Sequence, residues 1–133
     1  MPDLVEAVRE AHLALTEFAD QTPGPELLDD LECHVIAMGE VVIPSAIHAL
    51  LDGPEVAAAQ SELLDQLQED VSRVRGGDDE DAVRMLVRHL RELATTWDEE
   101  ILPALGESIP IETREELGDA YERAREDSRS LRA

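Results

Sequence analysis

The chain contains no lysine, one cysteine and only three aromatic residues among its 133 positions. Its 11 basic residues are all arginines, and against 32 acidic residues they leave a formal charge of −21. A surface of this charge repels phosphate, which argues against nucleic acid and anionic membranes as partners and leaves a protein partner open. Because aromatic residues are so few and leucine, alanine, glutamate and arginine dominate, the composition predicts helices rather than sheets.

The single cysteine, Cys33, has no partner for an internal disulfide, which is typical of a reducing compartment. The first residues lack a basic segment followed by an apolar one, and no run of about 18 apolar residues is present. We therefore expect a cytoplasmic protein. Hydrophobic residues make up 43% of the chain, enough for one folded domain over residues 1–133. The composition also fits a GC-rich bacterial genome or a salt-tolerant host.

Turn signals rich in proline and glycine divide the chain into five segments of helical length. In the first four segments, apolar residues recur at steps of three and four, which predicts helices with one buried face. Together the segments predict an all-α domain, an up-down-up-down four-helix bundle with an additional, shorter C-terminal helix. The predicted helices cover about 3–20, 26–51, 55–75, 79–105 and 113–130.

Several residues have specific expected places in this scheme. Phe18 belongs to the apolar stripe of the first helix, so we expect it to be buried. Pro44 and Pro103 are expected to kink or end the regular parts of the second and fourth helices. The pattern 113–116, Thr-Arg-Glu-Glu, predicts a capping box at the start of the fifth helix. Tyr121 lies on the apolar edge of that helix, which we expect to pack on the outside of the bundle.

Two stretches of the sequence are similar to each other. HVIAMGEVVIP at 34–44 aligns with LATTWDEEILP at 93–103, so that a glutamate, an apolar pair and a proline coincide. The similarity predicts two related helical hairpins, at 3–51 and 55–105.

Both stretches resemble the repeated helix ends of the hemerythrin and HHE cation-binding family. In that family the second and fourth helices each carry His-x-x-x-Glu and a proline ten residues after the histidine, and the first and third helices supply further histidines. The resemblance covers nearly the whole chain, because it also includes His12, the helix lengths and the tail from Arg114 onward. It implies a bundle whose core holds an iron pair through about five imidazoles and bridging carboxylates.

Only part of that ligand set is present. The histidines of the first and second helices are matched by His12 and His34. The other ligand positions hold Met38 for the second-helix glutamate, Gln60 for the third-helix histidine, and Leu93 and Trp97 for the fourth-helix pair. Asp98 offers a carboxylate one residue later, but Leu93 leaves it without a partner histidine on that helix. We therefore predict that the di-iron site is lost and that apolar side chains fill its cavity.

A smaller metal site is the alternative. His12 and His34 lie at similar distances from the first turn, so their side chains would meet in an antiparallel hairpin. His89 on the fourth helix would complete a three-histidine site for zinc or a single iron. The competing interpretation makes these residues core-edge histidines bonded to each other, to Gln60 or to the backbone.

Other candidate sites are weaker. Met38 with a histidine is a haem ligand pair in some bundles, but a methionine on an apolar stripe is more often core. The acidic run 78–81 lacks the alternation of a calcium loop and is expected to be solvated. His48 is expected at the surface, and Trp97 in the core with one polar partner for its indole N–H. The chain has no enzyme motif, so we expect no catalysis.

The leading functional prediction is a hemerythrin-like protein that has lost the di-iron site, carries no cofactor and acts as a non-catalytic binding or regulatory module. The alternative prediction is a metal-binding hemerythrin-like protein with a reduced mononuclear iron or zinc site at His12, His34 and His89, in oxygen or iron handling.

Overall fold

The computed structural model describes residues 2–19, 24–77 and 80–131. Within these ranges every regular element is a helix and no strand is present, which confirms the all-α prediction. The α-helices are α1 Leu4–Ala19, α2 Pro25–Ala37, α3 Ile43–Ala49, α4 Gly53–Arg75, α5 Glu80–Thr96, α6 Leu102–Ser108 and α7 Ile111–Ser130. The predicted turns at 20–23 and 78–79, and with them half of the acidic run 78–81, lie outside the described residues.

Two π-helical turns connect helices into longer rods. Met38–Val42 joins α2 to α3, and Trp97–Ile101 joins α5 to α6. Each π turn directly precedes the helix that contains Pro44 or Pro103. Proline lacks an N–H and its ring clashes with the carbonyl four residues earlier, and a wider turn relieves both problems without ending the helix. The two π turns occupy the same position in the two similar stretches, so the sequence similarity extends to the backbone.

The helices pack around one apolar core. Helix α4 packs against α2, α3 and α5, and α1 packs against α2, α5, α6 and α7. Leucines from most of these helices and the Trp97 ring are fully buried between them. The rod 25–49 is long and apolar enough to cross a membrane, but 56% of its most apolar window is buried within the fold, as expected of a core helix. Helix α7 packs against α1 and α2.

A close contact docks α7 on the start of α1. A Cβ atom at Gly118 would lie 2.7 Å from the carbonyl oxygen of Pro2, so only glycine permits this approach. The buried Asp3 side chain accepts a hydrogen bond from the backbone N–H of Glu6 at 2.9 Å and thereby caps α1. Arg114 of α7 pairs with the same carboxylate at 3.2 Å. Steric fit and an ion pair therefore hold α7 against the capped start of α1.

Three expectations about local structure are corrected. Phe18 is 51% exposed, because the buried stripe of α1 continues from Leu15 to Ala19 and passes beside it. Helix α7 begins at Ile111, directly after its N-cap residue Pro110, so the predicted capping box at 113–116 lies inside the helix. With 20 residues, α7 is also longer than α1, which has 16.

Candidate functional site

Two buried histidines from different helices lie side by side. His12 of α1 is 1% exposed and His34 of α2 is fully buried. Their ring centroids are 4.9 Å apart and the ring planes are nearly perpendicular, at 85°. Both residues lie on the apolar stripes of their helices, and this placement brings the imidazoles together where α1 packs on α2. The two side chains that we expected to meet in the hairpin are therefore neighbours.

The His12 ring is held by Asp98, the second residue of the π turn Trp97–Ile101. Asp98 Oδ1 lies 2.9 Å from His12 Nδ1. A carboxylate only accepts hydrogen bonds, so Nδ1 carries a proton, and in the neutral imidazole Nε2 then has the free lone pair. Arg9 donates a hydrogen bond to the backbone carbonyl of Asp98 at 3.1 Å and holds this turn near α1. Asp98 thus has a histidine partner on α1 rather than on its own helix.

The His34 ring is held by a tyrosine of α7. Its Nδ1 lies 2.5 Å from the hydroxyl of Tyr121, a fully buried residue of α7. Burial lowers the pKa of His34 well below its usual value, and His12 and Arg125 lower it further, so the imidazole is neutral. Burial also raises the pKa of Tyr121, which keeps the phenol protonated. Either group can therefore donate the hydrogen bond that joins them.

Both imidazoles have one nitrogen without a partner. His12 Nε2 and His34 Nε2 are buried, and neither has a hydrogen-bond partner in the part of the chain that the structure describes. A buried polar atom without a partner costs about 1–3 kcal/mol. Two such atoms on adjacent rings therefore mark a place where a ligand would be stabilised.

The other positions at which the resemblance implies metal ligands are occupied by core side chains. Met38, Leu93 and Trp97 are fully buried. The Trp97 indole N–H donates a hydrogen bond to the Gln60 side-chain oxygen at 2.8 Å, so the tryptophan has its expected polar partner. Gln60 bonds to this indole, whereas we had considered a histidine partner. Two imidazoles without inward carboxylates do not fit an iron pair, which needs bridging carboxylates.

His89 is part of a different cluster. Its Nδ1 lies 2.5 Å from Asp70 Oδ2 of α4. His89 precedes Asp98, the partner of His12, by more than two helical turns, which is about 13 Å along a helix axis. Residues 2–19, 24–77 and 80–131 contain no group of three histidine, cysteine, aspartate or glutamate side chains able to hold a metal ion. The structure therefore groups His12 with His34 and places His89 with Asp70, and His48 is exposed.

Sequence reasoning missed Tyr121, Asp70 and the partner of Asp98. Helical spacing assigned Tyr121 to an apolar edge and left its hydroxyl group out of account. One available signal was that a tyrosine is buried only when its hydroxyl finds a partner. Nothing local distinguished Asp70 from the many solvated acidic residues.

No protein-family model, curated protein or solved structure matches the chain. The candidate site is thus defined by geometry: a pair of adjacent buried imidazoles, each held at Nδ1 and each without a described partner at Nε2.

Proposed function

We propose that this chain is a hemerythrin-like protein that has lost the di-iron site and acts as a non-catalytic binding or regulatory module. The observation that carries this proposal is the content of the former ligand positions. Met38, Leu93 and Trp97 are fully buried, and Gln60 is engaged by the indole of Trp97. Apolar volume in place of charged ligands stabilises a core that no longer surrounds a metal pair.

The helix packing supports the bundle that this proposal requires. Helices α1 and α4 each pack against both α2 and α5, as in four helices arranged around a common core. We propose up-down-up-down topology for these four rods, with α7 as an additional helix across α1 and α2. The paired π turns, one in each hairpin, support descent of the two hairpins from one repeated unit.

Iron reconstitution tests the first proposal. The full chain would be incubated anaerobically with excess ferrous iron and desalted, and its iron content would be measured by mass spectrometry. We expect well under two irons per chain and no oxygen-dependent absorption band. Recovery of close to two tightly held irons per chain, lost in His12→Asn and His34→Asn, would overturn the proposal.

A second candidate function is the binding of a single metal ion by His12 and His34. The observation that favours it is the pair of buried Nε2 atoms without partners. Histidines that bind metals usually donate the other ring nitrogen to a carboxylate, carbonyl or similar group, which orients the ring. Asp98 and Tyr121 occupy these supporting positions. This smaller site contains two histidines and does not include His89.

Metal titration tests the second candidate. Isothermal titration of the metal-free chain with Fe²⁺ and Zn²⁺, and with Cu⁺ under anaerobic conditions, would measure affinity and stoichiometry. We expect one site per chain that His12→Asn and His34→Asn abolish. The matched control is His48→Asn, which changes an exposed histidine. Binding that is equally strong in all three variants would contradict a site at the histidine pair.

A further inference from the structure

The spacing of the two rings restricts how they would share an ion. Two imidazoles that bind one ion through Nε2, at about 2 Å and with a tetrahedral or trigonal angle, have ring centroids about 5 Å apart. A linear arrangement would require about 6 Å. The observed separation of 4.9 Å is too short for the linear arrangement, so an ion shared by the two rings would be bound at a bent angle. A bent arrangement leaves room for at least one more ligand beside the two nitrogens.

Met38 lies close to this pair along the chain. Its backbone N–H bonds to the carbonyl of His34, so Met38 follows His34 by one helical turn on the same face. Residues four positions apart on a helix have neighbouring side chains, so Met38 adjoins His34 on that face. Met38 is also fully buried, so its sulphur lies within the core.

Two imidazoles and a thioether form a neutral donor set. Thioether sulphur is a soft ligand that selects Cu(I), and imidazole suits copper as well. Burying an ion without anionic ligands costs much more for a divalent than for a monovalent cation, because the desolvation energy rises with the square of the charge. The single carboxylate of Asp98, bonded to His12, balances one positive charge.

We infer that the His12–His34 pair, with Met38 as third ligand, is a binding site for a single Cu(I) ion. This inference rests on the second candidate function above and specifies its metal and its third ligand.

A competition experiment tests the inference on the full chain. The metal-free protein would be titrated anaerobically with Cu(I) in the presence of ascorbate and a chromophoric Cu(I) chelator. We expect one Cu(I) per chain, no detectable site in His12→Asn or His34→Asn, and an affinity at least about tenfold weaker in Met38→Leu. Leucine conserves the volume of methionine, so the variant keeps its fold, as circular dichroism would verify.

The matched control is Met85→Leu, because Met85 is a partly exposed methionine on α5. We expect its Cu(I) affinity to equal that of the parent chain. X-ray absorption of the copper-loaded protein would show one sulphur and two imidazole nitrogens around copper, and the sulphur would be missing in Met38→Leu.

The outcomes separate this inference from the proposal on which it rests. Equal Cu(I) affinity in Met38→Leu and Met85→Leu would overturn Met38 as a ligand. Displacement of Cu(I) by an equal concentration of Zn²⁺ or Fe²⁺ would overturn the choice of metal and leave a histidine-pair site in place. Absence of any cation binding that depends on His12 and His34 would overturn both.

Discussion

Two histidine–carboxylate pairs in this protein have opposite patterns of burial. In the first, the His12 side chain is fully enclosed and Asp98 is 34% exposed. In the second, Asp70 is 1% exposed and the His89 side chain is 13% exposed. Both histidines use Nδ1 to contact the carboxylate. In the first pair the imidazole is the more deeply buried group, and in the second pair it is the carboxylate.

This difference determines what each pair is suited to do. The buried carboxylate of Asp70 has its partner in His89, which connects α4 to α5 and stabilises the fold. The buried imidazole of His12 has Asp98 at Nδ1 and no partner at Nε2 among the residues that the structure describes. Within these residues the His12 pair, and not the His89 pair, has a buried ring nitrogen without a hydrogen-bond partner. The contrast therefore supports a structural role for the His89–Asp70 pair and is consistent with the binding role that we propose for the His12–Asp98 pair.

Removing the imidazole from the structural pair is expected to have the largest effect on stability. His89→Ala would leave the buried Asp70 carboxylate without its partner, and we expect unfolding free energy to fall by about 3 kcal/mol. Urea unfolding followed by circular dichroism would measure this loss. The double variant Asp70→Leu with His89→Leu is expected to recover most of it, because no charge is then buried alone. A loss below about 0.5 kcal/mol in His89→Ala would contradict the structural role.

The stability of the protein is expected to depend on pH through the buried side chain of His34. Its pKa is lowered in the folded protein by burial, with His12 and Arg125 adding to the effect. Below about pH 6.5 the unfolded chain takes up a proton that folded His34 does not, so stability falls by up to about 1.4 kcal/mol per pH unit. Above this pH the His34 imidazole is neutral in both the folded and the unfolded chain, so its contribution to stability no longer changes with pH.

Urea unfolding at several pH values between 7 and 5 would measure the effect as a difference between variants. We expect His34→Gln to have a shallower slope than the parent chain, while the exposed-site control His48→Gln keeps the parent slope. The carboxylates titrate in all three proteins and cancel in the comparison. Identical slopes in His34→Gln and the parent would show that folded His34 is protonated normally.

Asp98→Asn is expected to affect binding more than stability. The side chain is one third exposed, so water can replace part of its hydrogen bonding, and we expect a stability change of about 1 kcal/mol or less. Because the carboxylate orients His12, cation affinity should fall about tenfold to a hundredfold. The Cu(I) competition assay would measure it. Glu62→Gln removes one exposed negative charge and should leave affinity unchanged; an equal fall there would indicate a general charge effect.

The smallest effect is expected for an exposed pair. Arg84 pairs with Asp81, and both side chains are more than three quarters exposed. Water screens such pairs, so Arg84→Ala should leave the melting temperature unchanged within about 2 °C. Differential scanning calorimetry would measure the melting temperatures of the variant and the parent chain. A larger decrease would show that exposed ion pairs contribute measurably to the stability of this acidic protein.

Much of the secondary structure was predictable because its causes are local. Turn signals and apolar spacing together predicted five helical segments, and the observed rods, such as 25–49 against a predicted 26–51, differ by a few residues at their ends. The prolines predicted an irregularity, but local sequence does not distinguish a kink from a π turn. Phe18 was misplaced because a stripe only approximates which residues face the core, and the packing of neighbouring helices decides between Phe18 and Ala19.

The candidate site also contains one feature that was predictable from the sequence and others that were not. The meeting of His12 with His34 followed from the hairpin, because both histidines lie at similar distances from one turn. The contacts that orient these rings did not follow, because Asp98 lies 86 residues from His12 and Tyr121 lies 87 residues from His34 along the chain. Because helical spacing relates only residues of the same helix, the sequence indicated no histidine partner for Asp98.

The sequence by itself determined where the chain is helical and which helix faces are largely apolar, since both depend on residues within a few helical turns. Only the tertiary structure decided that Tyr121 and Asp98 hold the two imidazoles, that Asp70 bonds to His89, and that two ring nitrogens are buried without a partner in the described part of the chain. These features depend on which helices pack together and in what register, and that is settled by the burial of the whole core rather than by any one segment.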